Sequence, residues 1–156
     1  IGSNENSFLS TIKSRCMILH FNKISDENIL RFLEENYQTK VNSQIMLEAF
    51  QGSIGKAIQL QDKQEEYEQI ENVIVNLEKR DKIDTLNGAE IIYKAKDEKF
   101  EILDYINIIL LDMARKSGKY ANCINIVEDT KKRLQSNANY DMCIDNMLLK
   151  LWEQIN

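Results

Sequence analysis

Proline is absent from the 156 residues, and glycine occurs only five times. A β-sandwich or barrel turns often, and its turns favour those two residues. Their scarcity points to a mostly helical, all-α chain. Cysteine is scarce too: Cys16, Cys123 and Cys143 lie far apart and are odd in number. No Cys-x-x-Cys pair occurs, and the single His20 has no partner at ligand spacing, so neither a zinc site nor a disulfide framework is expected. Reduced thiols in a bacterial or cytosolic setting fit better. Long apolar runs are also missing. The most apolar stretch, 102–114, is interrupted by Asp104, Asn107 and Asp112, so it reads as a buried helix and not a membrane span, and a cytoplasmic location is expected.

What is present suits a soluble globular protein: 43% apolar and 29% charged residues. The net charge of −5 lends no support to autonomous binding of a phosphate backbone. Lys131-Lys132-Arg133 is a local basic cluster, but acidic residues stand beside it, as on a solvated helix face.

Along the chain, Ile1 reads as the start of a truncated chain, and Gly2-Ser3 as native chain or a remnant of cloning. Ser7 to Arg15 suits a short helix. Met17-Ile18-Leu19-His20-Phe21 is the one convincing strand, and it must pair with something or lie extended. Ser25 caps a helix over 26–37, with Asp26 and Glu27 in its first turn and Ile29, Leu30 and Leu33 on its inner face. Asn42 caps a second helix through Phe50 with Ile45, Leu47 and Ala49 apolar. Gly52 ends it, and Ser53 caps a third helix to about Gln61. The polar run 61–66 marks a boundary. Beyond it the pattern is helical to the end: Tyr67, Ile70, Ile74 and Leu77 share a face, Ile83, Leu86, Ile91 and Ile92 follow around a weak point at Gly88, and 100–113 is apolar on two faces. Ser117-Gly118 stops that helix, another spans about 122–137, and the last runs from Tyr140 to Ile155 with Cys143, Ile144, Met147, Leu148, Leu151 and Trp152 inward.

Three segments carry more than this pattern. The first is Leu9-Ser10-Thr11-Ile12-Lys13-Ser14-Arg15-Cys16. By itself it is a short amphipathic helix whose terminal arginine complements the helix C-terminus. The second, Gly52-Ser53-Ile54-Gly55-Lys56-Ala57, is locally a helix stop, a cap and a helix start. Its Gly-x-x-Gly lacks the flanking strands of a KH domain. The third runs from Lys132-Arg133-Leu134 through Asn137 and Asn139 into Met147-Leu148-Leu149-Lys150-Leu151. It is locally a helix, an Asn-rich turn and a core helix.

The order of helix, Ser14-Arg15-Cys16, apolar strand and capped three-helix unit resembles clamp-loader subunits of the AAA+ family in bacterial DNA polymerase III. Their pattern is similar to Leu-Pro-Thr-Ile-x-Ser-Arg-Cys, and Ser10 stands here where the proline usually does. The resemblance implies a tail of the nucleotide-binding domain over 1–21, a three-helix lid over 22–62 and a helical collar over 63–156. It implies that Arg15, with Ser14 and Cys16 completing the motif, is an arginine finger reaching the ATP of the neighbouring subunit. Gly55 stands where hydrolysing subunits carry the sensor-2 arginine, and Lys56, about 100° further round the helix, points elsewhere. That implies a non-hydrolysing subunit of the delta-prime type, with no cofactor held by this stretch. The family's phosphate loop and zinc module would lie upstream. Asn137, Asn139, Met147, Leu148, Leu151 and Trp152 resemble the collar's oligomerisation residues, and Ile109-Leu110-Leu111-Asp112 fits the same domain. Implied partners are the gamma/tau ATPase subunits and the delta subunit, then the sliding clamp and primer-template DNA through the full complex, with no membrane. A gamma/tau-type subunit and a helical adaptor docking a partner helix are the alternatives. An enzyme with its own site lacks a His-Asp or Cys-His pair at a telling spacing.

Overall fold

The computed structural model describes residues 8–41 and 43–156, and every regular element among them is helical, with no strand. The all-α expectation holds. The strand expected over 17–21 does not form: these residues adopt no regular structure, and Met17, Leu19 and Phe21 are 86, 69 and 90% exposed. A strand needs a ladder partner for its backbone groups, and the described residues supply none. The helix expected over Ser7–Arg15 shrinks to α1, Ser10–Lys13, which buries nothing. Ile1, Gly2, Ser3 and Ser7 lie outside the described residues.

Helix α2, Asp26–Tyr37, begins after Ser25 as expected, although the Ser25 side chain makes no capping bond; Asp26 and Glu27 complement the helix dipole instead. Ile29 and Leu33 are fully buried. Helix α3, Gln44–Phe50, is capped by Ser43, whose side chain accepts from the Met46 amide at 3.3 Å. The expected cap, Asn42, lies outside the described residues. Helix α4, Ile54–Gln61, is capped by Ser53, which accepts from the Lys56 amide at 3.3 Å.

The chain passes through Asp62 and Lys63 into α5, Gln64–Val75, whose inner face is Tyr67, Ile70, Val73 and Ile74. A 3₁₀ turn over Leu77–Lys79 leads to α6, Lys82–Asn87, and α7, Ala89–Lys94. Here the expected face is partly inverted: Ile83 is 70% and Leu86 37% exposed, while Thr85 is fully buried with its hydroxyl donating to the Asp81 carbonyl at 2.7 Å. In so short a helix, packing on its neighbours outweighs the apolar preference of one or two side chains. Gly88 is the close-approach point, since a Cβ there would lie 3.0 Å from Val73 Cγ1.

Helix α8, Lys99–Lys116, is buried on both apolar faces and packs against α3, α5 and α9. Helix α9 spans Cys123–Gln135, and α10 spans Tyr140–Ile155, the limits read from its periodicity. One hydrophobic core runs from Ile29 in α2 to Ile155 in α10. Three polar groups in or beside it are paired: Tyr140 donates to the Ile92 carbonyl at 2.7 Å, Trp152 Nε1 to the Arg80 carbonyl at 2.7 Å, and the Tyr105 hydroxyl to Glu71 at 3.0 Å. Among the described residues no helix is long and apolar enough to cross a membrane.

Candidate functional site

The Ser14-Arg15-Cys16 segment forms the turn that closes α1. Ser14 Oγ donates to the Thr11 carbonyl at 3.2 Å, and the Arg15 amide donates to the Ile12 carbonyl at 3.1 Å. Both bonds fix the backbone and leave the Arg15 side chain outside. It is exposed and makes no ion pair or side-chain hydrogen bond within the described residues. Cys16 is an exposed free thiol.

This segment is tethered to the second motif through residues 23 and 24. The Ile24 amide donates to the Gly52 carbonyl at 3.0 Å. Gly52 has φ +75°, and a Cβ on it would lie 2.4 Å from Lys23 Cβ. Only glycine accommodates both the left-handed backbone and that approach. The next residue, Ser53, caps α4, and Gly55 lies exposed in its first turn. A Cβ at Gly55 would meet nothing nearer than Ser53 Oγ at 3.8 Å. An arginine would therefore fit, and its absence is a property of the sequence and not of space. Lys56 does not replace it: Nζ donates to Gln51 Oε1 at 2.6 Å.

The third segment closes α9 and opens α10. Asn137 takes a left-handed conformation, φ 60°, and Asn139 Oδ1 caps α10 by accepting from the Met142 amide at 3.0 Å. Met147, Leu148 and Leu151 have no exposed surface. They pack inside this chain's own hydrophobic core. Trp152 is half-buried over α6, with Lys82 Nζ 5.1 Å from its ring centroid. The exposed residues of α10 are Asp141, Met142 at 71%, Asn146, Lys150, Glu153 and Gln154. The basic cluster on α9 is matched by acids. Lys131 bonds Asp104 at 2.7 Å and Glu128 at 2.6 Å, and Lys132 pairs with Asp129 at 3.3 Å. Burial lowers the Lys131 pKa, but the bonds to Asp104 and Glu128 outweigh it and hold the ammonium above its ordinary range.

Sequence reasoning missed a cavity of about 330 Å³ between α4, α5 and α8. Tyr67 and Tyr105 meet edge to face in its wall, with ring centroids 4.8 Å apart. Lys63 pairs there with Glu98, and Glu101 and Asp62 have no cation partner within the described residues. No linear spacing signals this grouping, because it draws on Ala49 of α3 as well as on α4, α5 and α8, and on the 3₁₀ turn Lys96–Glu98.

Cys123 and Cys143 are buried, and burial pushes the Cys123 thiol up. Among the described residues no group of His, Cys, Asp and Glu side chains is placed to hold a metal ion. Comparison with protein-family models, with curated proteins and with solved structures gives no match to this chain.

Proposed function

We propose that this chain is the lid-and-collar part of a non-hydrolysing clamp-loader subunit of the delta-prime type, which helps load a sliding clamp onto primed DNA. The observation that carries the reading is the exposed Arg15 side chain, unpaired within the described residues, on a braced turn ahead of a three-helix unit whose last helix opens with an exposed Gly55. In this reading α2–α4 are the lid and α5–α10 the collar. Phosphoryl transfer spreads negative charge over the γ-phosphate oxygens, and a guanidinium brought from outside neutralises it with a planar, forked set of donors. Within the described residues Arg15 has no side-chain partner to give up before making such a contact. Gly55 presents no positive group toward a nucleotide of the subunit's own, so the chain assists hydrolysis next door and performs none itself. The partners are then the gamma/tau ATPase subunits and the delta subunit.

The test is a reconstituted ring in which only Arg15 is changed. Arg15→Ala should lower DNA- and clamp-stimulated ATP hydrolysis at the one site it faces, so total turnover falls in part and clamp loading falls further. Wild-type loading by a correctly assembled Arg15→Ala ring would overturn the proposal.

A further inference from the structure

Tyr67 is 3% exposed, and its hydroxyl has no hydrogen-bond partner within the described residues. The oxygen is not sealed off, because it is absent from the fully enclosed unpaired polar atoms, Gln61 Oε1 and Asn107 Oδ1. Tyr67 lines the cavity between α4, α5 and α8. The neighbouring Tyr105 hydroxyl is already engaged by Glu71. A buried phenol without a partner is uncommon, and one in the wall of a cavity can be completed by what fills it.

The charges around the cavity narrow the choice. Four carboxylates, Asp62, Glu98, Glu101 and Asp104, face two ammonium groups, Lys56 and Lys63. Lys63 is paired with Glu98, Lys131 holds Asp104 from outside, and Lys56 is bonded to the neutral Gln51. Within the described residues Glu101 and Asp62 are left without a cation. An anion would meet this carboxylate excess. A neutral apolar molecule would cover Leu60, Ile108 and the tyrosine rings but leave Glu101 and the Tyr67 oxygen unanswered. The volume, about 330 Å³, lies near the lower end for small-molecule pockets, ~300–1,000 Å³.

We propose that this cavity binds one organic cationic head group on an aliphatic stem, an alkylammonium or alkylguanidinium, with the stem against Leu60, Ile108 and Tyr105 and the head shared between Glu101 and the Tyr67 hydroxyl oxygen. The same chemistry occurs in a free polyamine and in a lysine or arginine side chain. The inference does not depend on the clamp-loader reading.

Titration of the 156-residue chain, followed through the ring resonances of Tyr67 and Tyr105, tests it. Spermidine represents the free amine and N-acetylarginine amide the side chain; the tighter of the two assigns the source. Saturable shifts are expected with at least one of them, weakened by salt. Glu101→Gln and Tyr67→Phe should each weaken binding by about two- to fivefold, with the chain still folded, since one removes an exposed charge and the other a hydroxyl without a partner. N-acetylcitrulline amide, the neutral isostere, should bind several-fold more weakly than the arginine compound. Absence of saturable shifts with both cations, or equal binding of the citrulline compound, would overturn the proposal.

Discussion

Gly52 and Lys23 stand so close that a Cβ on the glycine would fall 2.4 Å from the Lys23 Cβ, at a backbone φ of +75°. The contact is paired with the Ile24 amide bond to the Gly52 carbonyl. Together they hold the end of the irregular segment carrying Arg15 against the turn that opens α4. Gly52→Ala should therefore cost about 1–3 kcal/mol, by strain at a left-handed position and by displacement of residues 23 and 24. Gly55→Ala, three residues on, should be neutral or stabilising by up to ~1 kcal/mol, because helical backbone and open space both suit a side chain. Urea unfolding of the two variants checks this. Equal effects would refute the distinction.

Tyrosines should govern alkaline stability. The Tyr67 hydroxyl is pushed from 10.0 up to about 12 by burial, with Glu98 and Glu101 adding to it. Tyr140 is pushed up to about 12 by burial, then by Asp141 and Glu66. In each case the folded state favours the neutral phenol and the unfolded state releases its proton first. The stabilisation is whole below pH 10 and is lost as pH climbs through about 12. The urea midpoint should hold steady to about pH 9 and then fall. A midpoint unchanged up to pH 12 would contradict this burial.

Thiol chemistry should separate the three cysteines. Cys16 is exposed, whereas Cys123 and Cys143 are buried. A thiol reagent at neutral pH should modify one cysteine per chain quickly and the other two only under unfolding conditions. Peptide mapping of the labelled chain identifies the site. Rapid modification of Cys123 would show that the α8–α9 packing is wrong.

Helix α10 should divide into a core face and a free face. Leu148→Ala removes a fully buried side chain and should cost about 2–5 kcal/mol. Met142→Glu, at a 71% exposed position, should change stability by less than about 0.5 kcal/mol. In the proposed ring, Met142→Glu should weaken assembly with the ATPase subunit's collar, read by co-purification of the intact proteins. Undiminished assembly would place the contact on another face.

Arg15→Lys distinguishes chemistry from helix capping. A structural cation at the end of α1 contributes at most about 1 kcal/mol, and lysine serves nearly as well. A finger needs the forked guanidinium, and such groups are worth about 10³–10⁵ in rate at the site they complete. The expected result is poor rescue of the neighbour's hydrolysis by lysine, with the melting temperature unchanged in both variants. Full rescue, or a loss that tracks melting temperature, would assign Arg15 to structure.

The sequence by itself determined the helical class and much of the helix register. Scarce turn residues excluded a turn-rich sheet protein. Caps at Ser25 and Ser53 and the apolar face from Tyr140 to Ile155 marked helix limits that the structure shares. Those signals are local, since a cap or an amphipathic face is written within one or two turns of chain. Tertiary structure decided what local signals leave open. It withheld a ladder partner from residues 17–21, turned Ile83 and Leu86 outward while burying Thr85, and placed Met147, Leu148 and Leu151 inside the core, leaving Met142 on the surface. It also gathered Tyr67, Tyr105 and Glu101 round one cavity. Burial depends on which face meets a neighbouring helix, and a cavity exists only between elements, so neither is carried by the spacing of residues along a single helix.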